Sequence, residues 1–132
     1  MLTDIQALVY STLLTFLMII TASTIRTKLW TLEGAALAFG NREHVPEGTP
    51  LAVRAERAYK NMLESFPLFI ALVAAANFAH HQTDSRVALG ATIFFWARVA
   101  YWPCLLAGIK YLRTAIWSVS LVGLALIAAV LL

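Results

Sequence analysis

The sequence predicts an all-α membrane protein: four transmembrane helices in an up-and-down bundle. Three observations lead there. Hydrophobic residues make up 61% of the 132-residue chain and charged residues 13%, against roughly a quarter charged in soluble domains. Four apolar runs each approach or exceed the length of about 20 residues that crosses a bilayer. Two of the three connections between those runs are short, which sets neighbouring helices antiparallel.

The first span runs from about Ile5 to Ile25 and carries no charge. Arg26, Lys28 and Trp30 close it with the basic and aromatic residues that favour a cytoplasmic interface. The one long connection follows. Its Leu32–Phe39 part fits either a continuation of the first helix or a short interfacial piece. From Asn41 to Pro50, with Arg42, Glu43, Pro46, Glu47 and Gly48, it reads as a polar, turn-rich loop.

A second helix begins after Pro50, and its span covers about Ala55 to His80. Such a helix is about 45 Å long, too long for a hydrocarbon core of about 30 Å. Its charged first third must therefore protrude or line a polar cavity, and Pro67 is expected to kink it. His80 to Ser85 forms a polar turn in which Asp84 or Ser85 caps the next helix. The third span, about Val87 to Ile109, carries Arg98 near its middle and bends at Pro103. Gly108, Lys110 and Arg113 mark a second tight turn, and the fourth span runs uncharged from about Thr114 to Leu132.

Charge sets the expected topology. Arg26, Lys28, Arg42, Arg54, Lys110 and Arg113 fall on one side, and only Arg86 represents Lys and Arg on the other. The positive-inside rule puts the basic side in the cytoplasm and both termini outside it. The net charge of +3 forms no clustered basic footprint with interleaved aromatics, so no nucleic-acid partner is expected. One cysteine, Cys104, excludes an intrachain disulfide and a multi-cysteine metal site. With no further ligand near His80, His81 and Asp84, no metal site is expected. Asp4 stands where a cleavable signal peptide carries basic residues, so no such peptide is expected.

The stretch from Arg54 to Glu64 joins charge directly to a membrane span. Arg54, Arg57, Asn61 and Glu64 step by three, four and three, which aligns them on one helix face. Lys60 lies beside that stripe, with Glu56 four residues before it as an expected ion-pair partner. Counting the helical rise from Arg54 places Glu64 about 15 Å inward, and counting back from Lys110 places Arg98 about 18 Å inward. A charge near the bilayer centre costs at least about 2.5–3.5 kcal/mol and seeks a partner. Glu64 and Arg98 are therefore expected to pair at the floor of a polar cavity. Arg57, Lys60, Asn61 and Tyr101 would form its walls, and Arg26 and Arg113 its mouth. The surplus of positive charge points to an anionic ligand.

The run Arg57-Ala-Tyr-Lys-Asn-Met-Leu-Glu64, with Pro67 after it, resembles the signature of the MAPEG family (membrane-associated proteins in eicosanoid and glutathione metabolism). The block from Ala97 to Tyr101, continuing through Gly108 and Leu112-Arg-Thr114, is similar to that family's third span and following turn. The likeness covers essentially the whole chain and is nearest to the small bacterial members, which suggests a bacterial inner membrane. It implies a homotrimer with glutathione, as co-substrate, bound at subunit interfaces. It also implies glutathione contacts from Arg26, Arg57, Lys60, Asn61, Glu64, Arg98, Tyr101, Thr114 and Trp117, with Arg113 as the catalytic cation beside the sulfur. Lys60 stands where many members have arginine, Trp117 where many have tyrosine, and Leu105 where an aromatic is frequent.

Two functions follow from these readings. One is a membrane-bound glutathione transferase or peroxidase acting on a lipophilic small-molecule substrate dissolved in the membrane lipid. The other is a non-catalytic protein that binds an anionic or lipidic ligand or serves as a partner subunit. The first needs both a cradle for carboxylates and a cation at the sulfur, whereas the second needs only the cradle.

Overall fold

The computed structural model describes residues 1–28, 31–40 and 49–132. The boundary residue Trp30 and residues 41–48 of the polar loop lie outside the described residues. The described residues form helices and connections, without strands. Among them five helices occur in order: α1 (Asp4–Thr27), α2 (Leu32–Phe39), α3 (Pro50–Phe78), α4 (Ser85–Leu106) and α5 (Lys110–Leu131). All but α2 are long and apolar enough to cross a membrane.

Local chemistry explains where each helix starts. Thr3 and Gln6 form a reciprocal capping box at α1, satisfying two otherwise orphaned N–H groups. Lys28 ends α1 in the left-handed region, at φ 52° and ψ 56°. Thr31 then starts α2: its hydroxyl donates to the Lys28 carbonyl at 2.8 Å and accepts from the Gly34 N–H at 2.9 Å. The segment is thus a separate short helix, which decides between the two readings left open by the sequence. Thr49 caps α3, with Pro50 in its first turn, where a missing N–H costs nothing. Asp84 caps α4 by accepting from the Arg86 N–H at 2.9 Å. The Arg86 side chain, bonded to Asp84, also holds that carboxyl below the usual range. The α5 cap, Ile109, supplies no side-chain hydrogen bond.

Side-chain pairs fix the helix directions. Asn77 donates to Asp4 at 2.6 Å at one end of α1 and α3, and Arg26 meets Glu56 at 2.8 Å at the other. These two helices are therefore antiparallel. Arg98 with Asn61 and Arg54 with the Leu106 carbonyl set α4 antiparallel to α3. The chain goes up and down as predicted, but the four long helices do not close into a square. α3 and α4 each touch both α1 and α5, whereas α1 and α5 make no contact with each other. The array is a rhombus with α3 and α4 on its short diagonal.

That diagonal holds the core. Phe69 of α3 stacks on Phe94 of α4 with ring centroids 4.2 Å apart, and Met18, Met62, Val73 and Leu105 are buried around them. α4 and α5 approach closely at a pair of glycines. A β-carbon on Gly90 would stand 2.5 Å from the Gly123 carbonyl oxygen, and one on Gly123 would stand 2.6 Å from that of Gly90. Only glycine permits this approach without a shift of one helix. α3 continues past Pro67 and α4 past Pro103 without interruption.

Candidate functional site

A hollow of about 570 Å³ opens between α3 and the start of α5, with α4 behind it. α3 contributes Arg57, Lys60, Asn61 and Glu64, the residues that helical spacing places on or beside one face. α4 contributes Tyr101 and Leu105, and α5 contributes Arg113, Thr114 and Trp117. Eight of the ten predicted site positions thus meet around one space. Leu105 is the lining residue that the sequence reading did not assign to the site. Its signal was spacing, since it lies four residues after Tyr101 on the same α4 face.

Arg98 sits behind this hollow and is fully buried. Its Nη2 donates to Asn61 Oδ1 at 2.7 Å, and its guanidinium carbon lies 4.6 Å from the centre of the Tyr101 ring. The expected pairing of Glu64 with Arg98 does not form. Among the described residues the ion pairs are Arg26–Glu56 and Arg86–Asp84, and Glu64 is exposed along the hollow. Helical rise puts the two backbones at similar depth. The long Arg98 side chain instead reaches toward Tyr101, one turn nearer the Lys110 end, and meets Asn61 there, as a snorkelling arginine does. Its Nε and Nη1 have no partner among the described residues.

Arg26 also departs from expectation. It lines a second hollow, of about 540 Å³, with Glu56, Tyr59 and the last turns of α1. Glu56 meets Arg26 across the helix pair rather than Lys60 along its own helix. The i,i+4 geometry permits the local pair, but the antiparallel register of α1 and α3 offers a guanidinium at 2.8 Å. Within one chain Arg26 is therefore separate from Arg57 and Arg113.

The chemistry of the first hollow follows from its charges. Arg57, Lys60 and Arg113 make it receptive to anions, and the single carboxylate of Glu64 adds a place for a cationic group. Tyr101, Leu105 and Trp117 provide an apolar wall. No group of three or more His, Cys, Asp or Glu able to hold a metal occurs among the described residues.

Fold and hollow together define a four-span helical membrane protein with a largely cationic pocket near one end of the bundle. The MAPEG family model matches residues 5–132, and the chain belongs to that family. Comparisons with curated proteins and with solved structures returned no match.

Proposed function

We propose that this protein is a membrane-bound glutathione transferase or peroxidase that acts on lipophilic electrophiles or hydroperoxides. The observation that carries the reading is the meeting of Arg57, Lys60 and Arg113 with Glu64 in one hollow. Glutathione has two carboxylates, one ammonium group and one thiol. Two cations for the carboxylates, one carboxylate for the ammonium and one further cation for the sulfur are the set that such a molecule needs.

In this reading Arg57 and Lys60 hold carboxylates and Glu64 holds the ammonium group. Lys60 acts as a point charge, without the two-pronged geometry of arginine. Asn61 serves two partners, because its amide oxygen already accepts from Arg98. Arg113, at the start of α5 with Thr114 and Trp117, faces the sulfur and stabilises its anion. Bound glutathione supplies the nucleophilic thiolate, and the apolar wall receives the substrate from the lipid. Holding both reactants together removes much of the entropic cost of their encounter.

Arg26 completes the cradle from a neighbouring copy, in a homotrimer with its sites at subunit interfaces. The basic end of the bundle faces the cytoplasm of a bacterial inner membrane, where glutathione is at hand. The test is the ultraviolet thiolate absorbance of purified protein on adding glutathione, with S-methylglutathione as control. The expected result is binding of both and a thiolate signal from glutathione alone. If neither binds at millimolar concentration, the glutathione assignment fails.

A further inference from the structure

A third hollow, of about 470 Å³, adjoins the first at the ends where α3 and α5 begin. Its charged lining is Arg54 and Arg57 from α3 and Lys110 and Arg113 from α5. Each pair is one helical turn apart and so shares a face of its helix. No acidic side chain lines this hollow among the described residues. The nearest acid in sequence, Glu56, is committed to Arg26 in the hollow beside α1.

We propose that this hollow binds the phosphate of an anionic phospholipid headgroup. The contrast with its neighbour carries the argument. The first hollow combines three cations with Glu64, a mixture of charge that suits a zwitterionic ligand. Four cations with no acid beside them among the described residues suit a purely anionic group, and phosphate is an anion that both arginine and lysine bind well. Arg54 is held in place by donating from Nε to the Leu106 carbonyl at 2.9 Å. The guanidinium lies over Gly108, whose φ of +76° turns the chain from α4 into α5. The first N–H groups of α5 have no side-chain cap, and they add to the positive potential at this end.

Position favours a lipid over a free anion. The hollow lies where two membrane-spanning helices begin, which is headgroup depth. Exposed Leu51, Val53, Ile109 and Leu112 stand beside the cations at the same helix starts. They offer acyl chains an apolar surface next to the charge. This inference does not rest on the glutathione reading, although Arg57 and Arg113 line both hollows.

Native mass spectrometry of the full chain, released from nanodiscs of phosphatidylglycerol and phosphatidylcholine, tests it. Wild type is expected to retain phosphatidylglycerol over phosphatidylcholine. K110Q is expected to lower that preference about five-fold, and R54Q with K110Q to lower it further, from about 1 kcal/mol per cation at a charged membrane surface. Lys110 is exposed, so K110Q remains informative if loss of Arg54 harms folding. Equal retention of both lipids by wild type, or an unchanged preference in K110Q, overturns the proposal. Displacement of phosphatidylglycerol by millimolar inorganic phosphate assigns the hollow to a free anion and overturns the lipid assignment.

Discussion

Arg98 and Asn61 form the one hydrogen bond from side chain to side chain between α3 and α4 among the described residues, at 2.7 Å, and the arginine is fully buried. A buried guanidinium that loses its acceptor keeps its desolvation cost. Asn61→Leu is therefore expected to destabilise the bundle by about 2 kcal/mol or more. Asn61→Asp supplies a carboxylate in the same place and should retain most of the stability. Unfolding of both variants in detergent micelles measures the difference. Equal loss in the two would mean that shape, rather than the bond, matters at this position.

The Gly90–Gly123 crossing leads to a second prediction. Either glycine replaced by alanine drives a methyl group to within 2.5–2.6 Å of the facing carbonyl oxygen. The helices must then separate, at a cost of about 1–3 kcal/mol. Thermal unfolding of G90A and G123A should show comparable losses. The double variant should lose less than the sum, because the first substitution already opens the crossing. Additive losses would argue against a single shared contact.

Glu64 separates ligand binding from folding. It is exposed and takes part in no ion pair among the described residues. Glu64→Gln should therefore leave the unfolding midpoint nearly unchanged. In the proposed site it removes the partner of the ammonium group, and glutathione affinity should fall about ten-fold, the value of one charge-assisted hydrogen bond. Calorimetric titration measures the affinity. A large loss of stability with no change in affinity would make Glu64 a structural residue.

Much of the fold and of the site is legible in the amino-acid sequence. Hydropathy marked the four long helices because a bilayer demands continuous apolar length, and helical spacing gathered Arg57, Asn61 and Glu64 on one face. Three features were not legible. Helical rise puts Arg98 and Glu64 at similar depth, yet a long side chain reaches a full turn from its own backbone, and spacing carries no rotamer. Glu56 had two basic residues within reach, Lys60 along its helix and Arg26 across from it; only the register of α1 against α3 decides between them. Arg26 was assigned to the same cavity as Arg113, but α1 and α5 stand on opposite sides of the α3–α4 diagonal. Sequence cannot separate those sides, because apolar residues facing lipid and facing protein look alike.

The last prediction concerns Arg113, which lines the first hollow beside Thr114 and Trp117. A cation near a thiol stabilises the charged form and so lowers its pKa, commonly by one unit or more. Replacing Arg113 with alanine should move the thiolate titration of bound glutathione upward by about one unit or more. Replacing it with lysine should move the titration much less, because the charge remains. Affinity should change less than the titration does, since in the proposed site Arg57, Lys60 and Glu64 still hold the rest of the molecule. The readout is thiolate absorbance against pH at saturating glutathione for wild type, R113A and R113K. A purely structural Arg113 would lower stability in both variants and leave the titration midpoint where it is. A midpoint that rises in R113A and recovers in R113K assigns the sulfur-facing role to its charge.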